Sequence, residues 1–301
     1  MLKRFRDWVH RYPNLYCPLM YVWRKLASCI PAGLYIKCKY ARVLGKKLNL
    51  DEPKTYNEKI QYLKLYWRDS LAICCSDKLR VREYVSAKIG KKYLNKLIAV
   101  YDSPNDVKWE SLPSKFVVKL SHDSGSVIIC KDKTNFDIKA TVQRFAWRIR
   151  INFGKLVKEW VYASIPPKVL VEKYLGEVKD YKVFCFDGVP RLIQVDVDRF
   201  KNHRRNFYTT NWDFLNFSVL YPNDSNALEP KPSCLDEMLR CSSILSKPFP
   251  HVRVDWYIKD NALIFGEMTF FHGSGYEVFS NEEWAIKMGD WLELPSKSYI
   301  P

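Results

Sequence analysis

The sequence predicts an α+β protein built on antiparallel sheets. Apolar residues recur at helical spacing in the first third of the chain, as in Tyr56 to Trp67 and again after Asp77. β-prone apolar runs dominate the second half. Tight polar turns join several of those runs, Asp187-Gly188 and Lys259-Asp260-Asn261, and such turns connect antiparallel neighbours rather than parallel strands. With 301 residues the chain can bury a large core and hold two or three subdomains.

The first element is a basic, helical leader over residues 1–50. It holds eleven Lys/Arg against the single acid Asp7, so +10 of the chain's net +16 lies there. Trp8, Tyr12, Tyr16, Tyr21, Trp23 and Tyr35 are interleaved with the cations. Three readings stay open: an amphipathic segment on an anionic membrane, a nucleic-acid surface, and a docking helix with a solvated basic face. No nucleic-acid motif supports the second. Arg24-Lys25 and Pro31 interrupt the apolar stretch from Leu15 to Ile36, which argues against a spanning helix. No apolar core with a small-residue cleavage site follows the basic start, which argues against a signal peptide.

Residues 51–114 read as mostly helical, with one helix over Tyr56–Trp67 and a second starting at Asp77 as its N-cap. Residues 115–175 form the next unit. In it Phe116–Leu120 and Val127–Cys130 make a hairpin around Ser121–Ser126, residues 137–160 are helical, and Pro166-Pro167 precedes an extended run to Leu175. Residues 176–301 form the last unit, with strands at Tyr181–Phe186 and Arg191–Val195, a polar loop over 200–232, a helix from Leu235 to Leu245 and a closing hairpin. Nine scattered cysteines without a CxxC pair or Cys/His spacing point to reduced thiols, a cytoplasmic setting and no zinc.

Three segments carry chemistry. The closing hairpin holds Asp255 and Glu267 near Thr269, and paired carboxylates with a small oxygen donor suit Mg²⁺. Lys119 precedes the small-residue turn Ser124-Gly125-Ser126, whose backbone N–H groups can close on phosphate oxygens; an ordinary hairpin turn explains it equally well. Arg199-Phe-Lys201-Asn-His203-Arg204-Arg205 is either a solvated basic loop or a clamp for phosphate and an acyl-phosphate adduct. Asp196-Val-Asp198 is a DxD pattern, which keeps a nucleotide-sugar glycosyltransferase open beside the polar end of a strand. A non-catalytic glycan- or membrane-binding module is a further alternative.

Taken in order, Asn57-Glu-Lys-Ile60, Asp77-Lys78-x-x-Val-Arg82-Glu-Tyr-Val, Asp180-Tyr-Lys-Val-Phe-Cys-Phe-Asp-Gly188, Val252-Arg-Val-Asp255 and Phe265-Gly-Glu-Met-Thr-Phe270 resemble the ATP-grasp superfamily. Within it they most closely resemble the TupA-like family, named for a teichuronopeptide-biosynthesis protein, over about residues 45–295. The resemblance implies two α+β subdomains whose antiparallel sheets grip ATP. It assigns Lys78 and Lys119 to the ATP phosphates, Ser124, Gly125 and Ser126 to the phosphate-covering loop, and Glu172, Lys173, Tyr174 and Leu175 to the adenine hinge. Asp180 would bind ribose and Lys182 a phosphate. Arg253, with Arg199, His203 and Arg204, would act on the acyl-phosphate, and Asp255, Glu267 and Thr269 would hold Mg²⁺. Many relatives end Glu-x-Asn, where this chain has Glu267-Met-Thr269. The implied activity is an ATP- and Mg²⁺-dependent carboxylate–amine ligase joining an amino acid or peptide to a glycan or lipid-linked sugar in surface-polysaccharide biosynthesis. Its implied place is the cytoplasmic face of the inner membrane, with no nucleic-acid partner.

Overall fold

Two antiparallel sheets organise the chain, whose computed structural model describes residues 25–197 and 203–296. The small sheet has strands β1 (Leu97–Tyr101), β2 (Phe116–Leu120), β3 (Ile128–Cys130) and β4 (Val169–Lys173) in the order β1-β4-β2-β3. The large sheet has β5 (Lys179–Phe186), β6 (Val189–Val197), β7 (Arg204–Tyr208), β8 (Phe214–Leu215), β9 (His251–Lys259) and β10 (Ala262–Thr269) in the order β10-β9-β5-β6-β7-β8. Both hairpin turns form as expected. Asp187 with Gly188, and Asp260 with Asn261, take positive φ, the two-residue geometry that matches strand twist.

Helix α1 (Ala32–Leu44) is followed by α2 (Tyr56–Tyr66), whose start is fixed by a capping box between Thr55 and Glu58. Then come α3 (Ser70–Ser76), capped by Asp69, and α4 (Val81–Lys88). Asp77 does not cap α4. It closes the turn before it, accepting from Leu79 N at 2.9 Å through its side chain and from Val81 N at 3.0 Å through its carbonyl. That turn also ties Lys78 N to Ser121 O of the small subdomain at 3.3 Å.

The expected helix over 137–160 is broken into α5 (Ile138–Arg148) and α6 (Phe153–Val157), because Asn152 caps a new helix. Two expectations fail on strands. β1 lies inside the stretch read as helical, and it supplies the small sheet's edge from residues upstream of 115. β7 and β8 lie inside the expected polar loop. Arg204 and Arg205 hide β7 from a hydrophobicity reading; Arg205 is buried and pairs with Asp196 of β6, beside the buried Asn206, Phe207 and Tyr208.

Alternation sorts each sheet into a core face and a charged face. In the small sheet Phe116, Val118, Leu120, Val169 and Val171 bury against Phe145 of α5 and Trp109. In the large sheet Tyr181, Val183, Ile193, Val195, Val254, Trp256 and Met268 form the main core with α7 (Leu235–Ser246), where Trp256 Nε1 donates to Ser242 Oγ at 2.8 Å. Helix α8 (Glu282–Asp290) packs on α2, with Gly289 against the Lys54 carbonyl where a Cβ would lie 2.0 Å from the oxygen.

Candidate active site

The charged face of the large sheet is assembled by register. Across the strands, Glu267 stands opposite Asp255, Asp255 opposite Lys182, and Lys182 opposite Gln194. A parallel row sets Thr269 opposite Arg253, and Asp196 stands opposite Arg205. One irregularity makes this possible. A bulge at Gly266 shifts β10 by one residue, so that Phe265 packs in the core opposite Trp256 while Glu267 reaches the other face beside Asp255. A Cβ on Gly266 would lie 3.0 Å from the Asp255 carbonyl oxygen, which explains glycine there.

Arg253 is the hub. Its Nε donates to Asp255 Oδ1 and its Nη2 to Asp255 Oδ2, both at 2.6 Å, and Nη2 also donates to Thr269 Oγ1 at 3.1 Å. Thr269 Oγ1 is 3.4 Å from Glu267 Oε1, so the hydroxyl bridges arginine and glutamate. Burial pushes the Asp255 carboxyl up to about 7, against the pull of Arg253 and Lys182. Glu267 differs: its side chain is 45% exposed. Burial of its surroundings acts against ionisation, but Lys78, Arg253, Lys119 and Lys182 together hold its carboxyl below the usual range.

The small sheet supplies the cations that face it. Lys119 on β2 and Glu172 on β4 share the non-core face and pair at 2.9 Å, and Arg82 Nη1 of α4 stands 3.6 Å from the same carboxylate. Lys78 Nζ donates to the Asp123 carbonyl; burial lowers its pKa, and the charges of Glu267 and Asp123 oppose that shift. Lys78 thus sits between the phosphate-loop candidate and the large sheet's carboxylates.

In that loop Ser124 and Gly125 are exposed and Gly125 has φ 78° with open space around it. Ser126 is buried instead, donating to Asp123 and accepting from Leu120 N at 3.1 Å, so its hydroxyl braces the loop from inside. Arg148 of α5 completes the brace through Asp123 Oδ2, at 2.8 Å from Nε, and the Ser124 carbonyl, at 2.8 Å from Nη2.

At the hinge, Tyr174 and Leu175 are half-buried, while the Lys173 carbonyl accepts from Asn95 Nδ2 at 2.9 Å. Asp180 pairs with Lys182, which also reaches Asp196 at 2.9 Å. Asp196 further accepts from Arg205 Nε at 3.1 Å and Gln194 Nε2 at 3.0 Å, and His203 Nε2 lies 3.2 Å away. Burial works against the charged form of Asp196, yet Lys182 and Arg205 hold its carboxyl far below the usual range. So Asp196, the described half of the DxD pattern, is already neutralised by cations. Arg205 also pairs with Glu277 at 2.8 Å, and Glu277 lies 3.3 Å from His272.

The structure thus brings together Lys78, Lys119, Glu172, Asp180, Lys182, Arg253, Asp255, Glu267 and Thr269. It points Arg204 the other way on β7, toward Asp224, and His203 toward the cluster. Arg199 and Asp198 lie outside the described residues. Asp123, Arg148 and Glu277 carry no role in the sequence reading, and Arg82 and Arg205 stand there only inside a motif and the basic run. For Arg205 the signal was its place in that run with His203, both of which lie beside Asp196. Arg148 and Glu277 meet the site only through tertiary packing.

Among the described residues no three His, Cys, Asp or Glu side chains gather into a metal cage. Asp255, Glu267 and the Thr269 hydroxyl are nonetheless hard oxygen donors that could hold Mg²⁺, which is commonly bound through one or two carboxylates plus substrate phosphates.

Two antiparallel sheets with lysines on one and paired carboxylates on the other define an ATP-grasp architecture. The TupA-like ATP-grasp family profile matches residues 58–293, and the chain belongs to that family. Similar solved structures include D-alanine–D-alanine ligase from Bacillus anthracis complexed with ATP, at 17% identity and TM-score 0.39 over 71% of this chain and 57% of that one. The enzyme of the same name from Helicobacter pylori has 17% identity and TM-score 0.41 over 79% and 68%. The ATP-grasp ligase PsnB, complexed with minimal precursor, Mg and ADP, has 11% identity and TM-score 0.40 over 71% and 57%. This chain therefore spans 57–68% of the length of these structures. Among curated proteins none matches.

Proposed function

We propose that the protein is an ATP- and Mg²⁺-dependent carboxylate–amine ligase that joins an amino acid or peptide to a sugar during surface-polysaccharide biosynthesis. The observation that supports this most is the carboxylate pair, Glu267 opposite Asp255, that the Gly266 bulge sets on one face of the large sheet, where Lys78 and Lys119 favour the charged form of Glu267. Lysines near metal-type carboxylates suit a bound polyphosphate. Family membership supports the nucleotide, and the polysaccharide role rests on the family's resemblance alone.

In this reading a substrate carboxylate oxygen attacks the γ-phosphorus and the bond to the β,γ-bridging oxygen breaks, giving an acyl-phosphate and ADP. An amine then attacks the acyl carbon, loses a proton, and phosphate leaves, forming the amide. Lys78 and Lys119 bind phosphate oxygens as point charges. The exposed Ser124-Gly125 backbone closes over them. Arg253, with Nε and Nη2 engaged by Asp255 and Thr269, keeps its guanidinium fixed and offers Nη1 to the oxyanion that forms at the acyl carbon. Asp255 and Glu267 would hold Mg²⁺, which would neutralise charge on the transferring phosphoryl group. Glu172 orients Lys119.

The test is incubation with ATP, amino acids and the glycan fraction of the source cell, with ADP release and product mass as readouts. ADP and phosphate release that requires both acceptors, with a product heavier by an amino acid less water, supports the reading. ATP binding with no turnover across a broad acceptor panel contradicts it.

A further inference from the structure

Helix α1 shows solvent an apolar strip. At about 100° per residue, Leu34, Cys38 and Ala41 fall within about 60° of one another. All three are exposed, Leu34 at 58%. Exposed Lys37 and Arg42 flank this strip on its two sides. Before the helix, Leu26 in the helical stretch 25–29 is 66% exposed, and Ile30 in the bend that follows is 39% exposed. The opposite face is anchored: Ile36 and Tyr40 bury against Leu48, Leu50 and Tyr276, and Lys39 Nζ stands 4.3 Å over the Tyr276 ring.

Single exposed leucines are ordinary, but an apolar strip bordered by cations is the pattern of a helix lying in a lipid interface. The segment's own charge is one-signed, and of its cations Lys46 is paired with Glu282 at 2.6 Å. Residues 25–50 hold six Lys/Arg and no acid, and residues 1–24 add five against Asp7. Among the described residues no helix is long and apolar enough to cross a membrane, so contact through α1 would be peripheral.

We propose that the Leu26–Ile30–Leu34–Cys38 face of α1 and the segment before it docks on an anionic lipid bilayer. The strip enters the acyl boundary, and Lys37, Arg42 and Lys47 meet the headgroups. Because α1 packs on Tyr276, which follows the carboxylate hairpin in sequence, docking would tie the unit that carries the site to the bilayer. A lipid-linked sugar acceptor would then arrive along the surface; that consequence rests on the ligase reading, and the docking itself does not.

The test is flotation of the full chain, without ATP, on vesicles of phosphatidylglycerol and phosphatidylcholine in equal parts, against phosphatidylcholine alone, at rising salt. The protein floats with the anionic vesicles, stays behind with the neutral ones, and is released by salt. Ile30→Glu with Leu34→Glu abolishes flotation, and Lys37→Glu with Arg42→Glu weakens it by at least about tenfold. Both double variants keep the wild-type melting temperature and ATP affinity. Three results would overturn the proposal. One is a wild type that does not float. Another is flotation unchanged in both variants, which would assign binding to residues 1–24. The third is a wild-type dimer that the glutamates dissociate, which would make the face a contact between copies. Should the apolar pair misfold, the charge pair alone decides.

Discussion

The small and large sheets each carry one charged face, but they hold their charges differently. On the small-sheet side Lys119 has one carboxylate partner, Glu172, and Lys78 leans on a backbone carbonyl. On the large sheet Lys182, Arg205 and Arg253 are buried and locked into carboxylates placed by strand register. The first arrangement leaves positive charge available to an anionic ligand. The second cancels charge internally and fixes geometry. Glu267 stands between them: it belongs to the large sheet by register, yet its side chain is 45% exposed and its electrostatic environment includes the small-sheet lysines.

That contrast can be broken by substitution, and the largest effect on turnover belongs to Glu267. Glu267→Gln keeps the size and removes the charge that faces four cations. ATP turnover falls by about 10²–10³-fold, as for loss of one electrostatic stabiliser, while the melting temperature does not drop. On stability the largest effect is Asp196→Asn, which removes the carboxylate that Lys182 and Arg205 share and leaves them Asp180 and Glu277. Losing charge-assisted hydrogen bonds while another partner remains costs about 1.5–3 kcal/mol, read from urea unfolding, and any activity loss follows the unfolded fraction. If the two variants exchanged phenotypes, the division between ligand-facing and self-cancelled charge would be wrong.

Lys119→Met is intermediate. The KM for ATP rises about tenfold or more with a smaller change in kcat, because Arg82 remains to hold Glu172. Gly266→Ala tests the bulge. The added Cβ at 3.0 Å from the Asp255 carbonyl shifts the carboxylate pair, so turnover falls more than stability, by about tenfold against about 1–2 kcal/mol.

The smallest effect is on pH. His251 lies between Tyr56 OH and the Cys185 carbonyl, each at 2.9 Å, and burial pushes its pKa down to about 3. The unfolded chain binds that proton from about pH 6.5 downward, whereas the folded one stays neutral. Stability is therefore fully present above about pH 6.5 and falls as pH drops toward 3, by at most about 1.4 kcal/mol per pH unit from this group. Urea midpoints at pH 7 and pH 5 check the slope, which shrinks in His251→Gln.

The contrast also explains what could be read from the sequence. Asp255, Glu267 and Lys119 sit on apolar strands beside turns with explicit hairpin chemistry, so pattern and register place them. β7 could not be read that way. It opens on Arg204-Arg205, and the buried Arg205 is offset by Asp196 on the neighbouring strand and by Glu277, which is invisible until the chain is folded. The same holds for Arg148, which braces the phosphate loop from a helix 22 residues beyond Ser126. Thr269 is the departure from Glu-x-Asn. In the structure its hydroxyl joins Arg253 to Glu267.

The central claim is that nucleotide binds between the sheets with its phosphates against Lys78, Lys119 and the Glu267 end. Calorimetric titration of ATP, with and without Mg²⁺, into the wild type, Glu267→Gln and Lys119→Met tests it most directly. The account predicts binding that Mg²⁺ strengthens in the wild type, loss of that strengthening in Glu267→Gln, and weaker binding with Mg²⁺ dependence retained in Lys119→Met. Equal affinities and equal Mg²⁺ dependence in all three proteins would contradict it.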